Sequence, residues 1–470
     1  MPIINFSGLA SGIDSNALID ATSEATRKQR VEPNTKKVTE LEETNATLEE
    51  LKTKFDALKT LARDFSTLNG GALAKLAQSS NETAATASAS NAASNGTYSV
   101  TVTQLAKNAT FSFNDRFTSS SAVIDADINN GDSAANRTVS VSIGTGTNMD
   151  TVNIVLTNTS TLSDFVASFN NATTLAQASV VNVGTSSSPS YALMISSNNE
   201  GTEQGEISVS VGPSVTTAGA FTASTTSQAT NAQFTVSGIS GTITRSSNSV
   251  ADVIQGLTMT LRAVGTSTIT ISDDADASVG KIEEFVDAYN EIVSFITDNN
   301  QITREEDGAE VTNIFGSLSS TRVDDNALQS LRSAISGSTY SSGTQVRIFA
   351  DLGITTERDG SLKFDSTVFK DAISNEPSSV NRVLMNFGDT VSLTGGTIDQ
   401  YIRFNGLFDS SVNGNKDLVR NLNEQIAQAE ASILKTEDLL RQRFARLEST
   451  IGRLQQQQSA LTSSLAGLGG

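Results

Sequence analysis

Hydrophobic positions recur along this chain with two different periods, and the change of period divides it into three stretches. In the first, Leu48, Leu51, Phe55, Leu58, Ala62 and Phe65 follow one another at steps of three and four. That spacing puts them on one face of a helix. Pro33 bounds this helix at its start, because its ring disfavours helical geometry at the preceding residue. Asn69-Gly70-Gly71 supplies the stop. In the last stretch, Leu422, Ile426, Ala429 and Ile433 begin a second seam. Leu440, Phe444, Leu447, Ile451, Leu454, Gln458, Leu461, Leu465 and Leu468 continue it. Between Ile433 and Phe444 the phase slips by about one residue, as a coiled-coil stutter does. A repeat this long predicts a helix that pairs with a partner helix. A third helix carries Val279, Ile282, Val286, Tyr289, Val293 and Ile296, widened by Phe285 and Ile292 into a core-facing stripe.

Between the helical stretches the period is two. Tyr98, Val100 and Val102 alternate with Thr and Ser after an Asn95-Gly96 turn signal. Val139, Val141 and Ile143 repeat the pattern, as do Ile207, Val209 and Val211, then Leu257, Met259 and Leu261, then Ile269 and Ile271. One amphipathic helix interrupts, with Leu162, Phe165, Val166 and Phe169 on its apolar side and Ser160 or Thr161 as its cap. The expected class is therefore α+β: helical ends that pair with each other, a helical bundle, and an antiparallel β-rich insertion.

Composition narrows what such a chain can do. Its 470 residues include no Cys, no His and no Trp. A disulfide framework, a Cys/His zinc site, haem ligation by His and a His-based triad are excluded. A formal net charge of -19 opposes binding to nucleic acid or anionic lipid. Met1 to Asp20 lacks the basic and apolar regions of a cleaved export signal, and no window approaches the ~20 apolar residues of a membrane helix. The default expectation is cytoplasmic. The missing Cys fits equally well a protein exported unfolded without a cleaved signal.

Candidate chemistry is thin. No G-x-S-x-G elbow is present. Two S-x-x-K matches, Ser278 with Lys281 and Ser432 with Lys435, fall at a helix start and inside the last seam. Asp125, Asp127 and Asn129 resemble the start of a calcium loop, but Asn130 stands where Gly is needed and Asn136 where Glu is needed, so a polar turn is expected. Asp273, Asp274 and Asp276 are expected to cap the helix near Val279. No phosphate-binding glycine loop is present, and the surface offers no aromatic platform for single-stranded nucleic acid. The reading is a non-enzyme with no catalytic, metal or cofactor-binding residue.

Several segments resemble one family. Phe6-Ser7-Gly8-Leu9-Ala10-Ser11-Gly12-Ile13-Asp14 is similar to the opening of the bacterial flagellar cap proteins, the FliD or hook-associated protein 2 family. Gly96 to Ala106 resembles the first strand of that family's β-rich region. Asn231 to Asp274 resembles its hallmark stretch, including Thr244-Arg245-Ser246-Ser247-Asn248 and Gly256 to Leu261. Phe285 to Asn290, Leu352 to Leu362 and Arg443 to Glu448 follow in the family's order. The match is weaker over about 107–160 and 200–230.

The resemblance implies a four-part organisation. Residues 1–40 with 435–470 would form a terminal coiled-coil region, loosely ordered in the monomer. Residues 41–77 with 275–434 would form the helical bundle, 78–106 with 231–274 an inner β-rich domain, and 107–230 an outer variable one. It also implies a secreted, extracellular protein at the flagellar tip that forms a ring-like homo-oligomer and promotes folding and insertion of flagellin. Its partners would be its own copies, flagellin, and the flagellar export chaperone and apparatus, with host mucin as an adhesive ligand in some members. Neither nucleic acid nor membrane is among them. Leu440, Phe444, Leu447, Ile451, Leu454, Leu461 and Leu465, with Leu48, Leu51, Phe55 and Leu58, are the residues expected to carry oligomer or filament packing. Two other classes remain open: a secreted adhesin that binds host glycan or mucin, and a filament or junction subunit built on paired terminal helices.

Overall fold

The computed structural model describes residues 12, 14–217, 225–307, 310–342 and 345–467. Phe6 to Ser11 and Ile13 of the opening motif, and Leu468 of the last seam, lie outside them. Two compact units emerge, one of residues 1–68 with 279–470, the other of residues 69–278. The divisions fall at Leu68/Asn69 and Ser278/Val279. The first lies ahead of Lys75 because that residue already belongs to a sheet of the second unit.

The chain begins with α1 (Ser15–Arg30) and α2 (Glu32–Arg63). Asp14 caps α1, its carboxylate accepting from the Asn16 and Ala17 amides at 3.1 Å. Pro33 sits in the first turn of α2, where a missing N–H is no loss, and the break between the helices falls at Val31. A 3₁₀ turn at Thr67–Asn69 and then Gly70 and Gly71 end the helical run.

The second unit is antiparallel throughout. It opens with β1 (Lys75–Ser79), β2 (Ala85–Ala89) and β3 (Gly96–Gln104). There follow β4 (Thr110–Ser112), β5 (Thr138–Ile143), β6 (Asp150–Val155), α3 (Leu162–Ala172), β7 (Ala176–Asn182) and β8 (Tyr191–Ser197). Next come α4 (Thr202–Gly205), β9 (Ile207–Val211), α5 (Pro213–Thr217) and β10 (Thr225–Ser227). The chain then returns through β11 (Ala232–Val236), β12 (Ile243–Arg245), β13 (Ser249–Ile254), β14 (Leu257–Leu261) and β15 (Gly265–Asp273).

Sheets ordered β1-β15-β3-β11-β12 and β13-β14-β2 enclose one apolar cluster, in which Val100, Val102, Phe234, Met259 and Ile269 are buried. Sheets β10-β4-β8-β7 and β6-β5-β9 enclose another around Phe113, Val141, Phe165, Phe169 and Leu193. The alternation of apolar and Ser/Thr residues puts every second side chain inward, as the period-two pattern demands. Thr161 caps α3 in a reciprocal box with Asp164. Asn248 joins the two β regions. Its side chain pairs with both backbone groups of Ala106 at 2.8 Å, while its Nδ2 and backbone N–H donate to the Glu200 carboxylate at 2.9 Å. Gly201 beside Glu200 has φ 78, and a Cβ there would meet the Ser246 carbonyl oxygen at 2.4 Å.

The first unit then resumes with α6 (Ala275–Asn300), the hairpin of β16 (Ile302–Asp307) and β17 (Glu310–Phe315), and α7 (Val323–Gly337). It ends with the short pair β18 (Ile354–Thr356) and β19 (Leu362–Phe364), α8 (Ser366–Asn375), α9 (Pro377–Ser392), α10 (Asp399–Ile402) and α11 (Leu407–Gly467). Its core is a run of aromatic contacts. Phe65 meets Phe285 edge-on at 5.9 Å, Phe285 meets Phe387 at 5.1 Å, and Phe387 meets Phe349 at 5.1 Å. Gly388 lets α9 approach the end of α2, since a Cβ there would stand 2.8 Å from the Phe65 carbonyl carbon and the Ser66 nitrogen. The terminal stretches expected to order only on assembly are helical here from Ser15 to Arg30 and up to Gly467.

One buried acid in this unit is poorly matched to its surroundings. Asp324, in the first turn of α7, is fully buried. One carboxylate oxygen accepts from Asn300 at 2.8 Å, and the other has no hydrogen-bond partner among the described residues. Burial pushes its pKa above the ordinary value. The folded protein thus holds this proton more tightly than the unfolded chain, and the stability it contributes at low pH is lost as pH rises through the folded value. Asp324→Asn should therefore be more stable than the parent at neutral pH, with the advantage vanishing as pH falls below the ordinary carboxylate range. Urea midpoints across pH would show it. Gly388→Val should destabilise the unit by about 1–3 kcal/mol through overpacking. Gly280→Ala, on open helix surface, should add about 0.5–1 kcal/mol. Equal effects of the two substitutions in a denaturant series would contradict this packing.

Candidate assembly surface

α2 and α11 run antiparallel, and a ladder of pairs fixes their register. Lys59 reaches Asp399 at 2.7 Å just before α11, Phe55 meets Phe408 at 5.6 Å, and Lys52 pairs with Asp409. Farther along, Glu49 pairs with Lys416 at 3.6 Å and Asn45 with Asn415 at 2.9 Å. Hydrogen bonds from Lys59 and Lys52 hold the Asp399 and Asp409 carboxyls below the usual range. Such half-exposed pairs contribute only about 0.2–1 kcal/mol each, so they set register more than stability. The energy lies in the seam. Leu48, Leu51, Phe55 and Leu58 are wholly buried, and truncating one such Leu to Ala costs about 2–5 kcal/mol.

α1 continues the antiparallel pairing on α11. The Arg27 guanidinium bridges Glu430 at 3.2 Å and Glu437 at 3.7 Å. Ile19, Ser15 and Ser23 are buried on this helix, and Ile433 is buried on α11. At a common rise of ~1.5 Å per residue, the described start of α1 falls opposite about residue 446 of α11. Beyond that point α11 carries its seam onward to Gly467 without a described helix beside it.

The expected packing residues therefore divide into two sets. Leu48, Leu51, Phe55 and Leu58 have no surface left to offer another molecule. Leu440, Phe444 and Ile451 are half-buried. Leu447, Leu454, Leu461 and Leu465 are exposed, Leu454 at 58% and Leu461 at 65%. The apolar seam continues past Phe444, and among the described residues α1 lies beside its first half and not its second. The phase slip expected between Ile433 and Phe444 occurs within an unbroken helix.

The candidate chemical groups serve as structure. Ser278 is buried and its hydroxyl accepts from the Ala74 amide at 3.0 Å. Ser432 and Lys435 are exposed on α11. Asp274 caps α6 through the Ala277 amide at 2.9 Å, and Asp273 pairs with Lys75 at 2.6 Å. Asp125 accepts from the Asp127 amide at 2.9 Å, closing a polar turn. Among the described residues no three His, Cys, Asp or Glu gather to hold a metal ion, and no helix is long and apolar enough to cross a membrane.

Two features of the first unit carried no sequence signal. A pocket of about 520 Å³ opens between α7 and β18, lined by Tyr289, Arg332, Ile335, Ile348, Phe349 and Ile354 among others. Arg332 Nε donates to the Tyr289 oxygen at 3.3 Å, and that hydroxyl donates to the Gly360 carbonyl at 3.1 Å. Burial pushes the Tyr289 phenol up, and the Arg332 hydrogen bond pulls it partly back. The other feature is Phe404, in the turn between α10 and α11, which is 88% exposed.

Comparison with known proteins assigns this architecture. The sequence profile of the flagellar hook-associated protein 2 C-terminus matches residues 229–456, and that of the N-terminus matches residues 11–109. The chain belongs to the flagellar hook-associated protein 2 family. A-type flagellar hook-associated protein 2 of Pseudomonas aeruginosa is 26% identical over 249 residues, 52% of this chain and 50% of that protein. The Salmonella typhimurium hook-associated protein 2 is 25% identical over 248 residues, 51% of this chain and 52% of that protein. The chain thus aligns with about half the length of these two relatives. The hook-associated protein 2 of Escherichia coli K12 is 24% identical over 484 residues, 98% of each. A crystal structure of the D1-D2-D3 domains of the E. coli flagellar cap protein FliD is similar in fold, with a TM-score of 0.57 at 23% identity over 78% of this chain and 99% of that one. The resembling segments Gly96 to Ala106 and Asn231 to Glu448 fall inside the two matched regions of this hook-associated protein 2 family member.

The two sets of seam residues should respond oppositely to the same substitution. Leu51→Ala should lower unfolding free energy by about 2–5 kcal/mol, whereas Leu454→Ala should change it by under ~0.5 kcal/mol. Chemical denaturation at low protein concentration separates the two. A large loss at Leu454 in a monomeric sample would mean that the overhang packs within the chain.

Proposed function

We propose that this protein is a flagellar filament cap: an extracellular homo-oligomer at the filament tip that promotes folding and insertion of flagellin. Its role is structural rather than catalytic. Membership of the hook-associated protein 2 family supports the reading, together with the name flagellar cap protein carried by the E. coli structure of similar fold. The observation that carries it physically is the far end of α11, where Leu447, Leu454, Leu461 and Leu465 stand exposed at helical spacing. An amphipathic helix of this length gains little by itself in water, and its apolar stripe is stabilised when another helix covers it.

In this proposal the overhang packs on neighbouring copies or on filament subunits. The chain reaches the cell exterior through the flagellar export apparatus and its chaperone. The four-part division, with a helical layer making protomer contacts and an outer β-rich region at 107–230, belongs to the same proposal. Adhesion to host mucin does not.

Leu454→Asp introduces a charge into the overhang without touching the buried seam. It should leave the monomer folded, abolish the assembled particle seen by negative stain, and shorten filaments with loss of swimming. Filaments of normal length in cells carrying Leu454→Asp would overturn the role assigned to the overhang.

A further inference from the structure

Phe404 is held out, not merely left out. Its neighbour Asn405 has φ 55, a left-handed conformation that few non-glycine residues adopt. The Asn405 amide donates to the Asp409 carboxylate at 3.0 Å, and the Gly406 amide donates to the Arg403 carbonyl at 2.8 Å. Asp409 is in turn held by Lys52. The turn is thus tied to both helices of the central pair, and it presents an aromatic ring to solvent. Leu407, three residues on, is 46% exposed. Leaving a Phe side chain in water forgoes the free energy of burying it. Backbone strain that is over-determined by its surroundings clusters at interaction and switch sites.

The Tyr289–Arg332 pocket offers a volume and a lining that suit an aromatic ring. Its walls are apolar at Ile335, Ile348, Phe349 and Ile354. A benzene ring fits an apolar cavity of about 150 Å³, so a pocket of about 520 Å³ takes the Phe404 ring with room for Leu407. Arg332 also lines the pocket, and its guanidinium is the kind of cation that attracts an aromatic ring. Glu357 and Asp359, with Arg358 between them, stand exposed on the turn after β18 and follow the pocket residues Thr355 and Thr356 in sequence. Arg403, next to Phe404 in sequence, is exposed and carries the charge opposite to theirs. Because the ring is 88% exposed, the pocket does not hold the Phe404 of its own chain.

We infer that Phe404 of one copy inserts into the Tyr289–Arg332 pocket of a second copy. Knob and pocket are different patches of one surface, so the contact is head-to-tail. Such contacts close into rings or continue as helices, depending on the rotation between neighbours. This inference rests on the proposed homo-oligomer and gives it a specific joint, separate from the α11 overhang.

The absence of native Cys makes the joint directly testable in the full-length chain. Phe404→Cys and Thr356→Cys variants, one carrying a mass tag, are mixed and oxidised. The expected product is a disulfide between the two different chains. In analytical ultracentrifugation Phe404→Ala should weaken assembly at least tenfold. Thr355→Trp, which fills the pocket mouth, should do the same. Each variant should keep its parent melting temperature as a monomer, because the sites are exposed. Oligomers of unchanged affinity in both variants, with no mixed disulfide, would overturn the joint while leaving the cap reading intact. A parent chain that stays monomeric at every concentration would overturn both.

Discussion

Everything in the helical unit depends on the antiparallel contact between α2 and α11. These helices are separated by most of the chain, yet Phe55 packs against Phe408 at a tilt, Lys52 fastens the start of α11, and Lys59 fastens α10 just before it. The buried Leu seam of α2 provides the energy, and the polar pairs along it choose one register among several of similar apolar match. Once that register is set, the positions of the Phe404 turn, the Arg27 bridge to Glu430 and Glu437, and the point at which α1 ends along α11 all follow. The difference in length between the two described sides of this pairing leaves the last turns of α11 without a described helix beside them.

The same contact explains why one repeating pattern has two fates. A heptad-like stripe reports that a helix face is apolar. It does not report what lies against that face. Leu51 and Leu454 have the same residue type and equivalent seam positions, yet one is sealed in a core and the other stands in water. Burial is a property of the neighbour, and the neighbour's extent is a tertiary fact.

How much was legible follows from this distinction. The helices at Leu48–Phe65 and Leu422–Leu465, the Val100, Val141 and Met259 strands, the Thr161 cap and the Asp274 cap all express local rules of period or hydrogen bonding, and the sequence displays them. The α1 interface was less visible because Ser15 and Ser23, small polar residues, share its buried face with Ile19. The core was foreshadowed by the Phe content but not its connectivity, since Phe65, Phe285, Phe349 and Phe387 come from distant segments. Phe404 reads in sequence like any core aromatic, following Tyr401 and Ile402, which are buried. Its exposure coincides with the left-handed turn at Asn405. Asn248 lay within a segment that resembled the family, and its amide explains locally why that segment matters: it satisfies the Ala106 backbone and Glu200 at once.

The division of the chain also orders events in time. Residues 69–278 form a contiguous unit whose strands find all their described sheet partners within it. The other unit is discontinuous, and α2 is delivered long before α11. Whether a ribosome or a narrow conduit releases the chain from its N-terminal end, the β-rich unit can complete its folding while α1 and α2 still wait. Closure of α11 on them requires a large loop to be spanned, a step favoured late and slowed by its sequence separation. The molecule thus has a built-in delay: its unpaired helical ends become a finished surface only after nearly all of the chain has arrived.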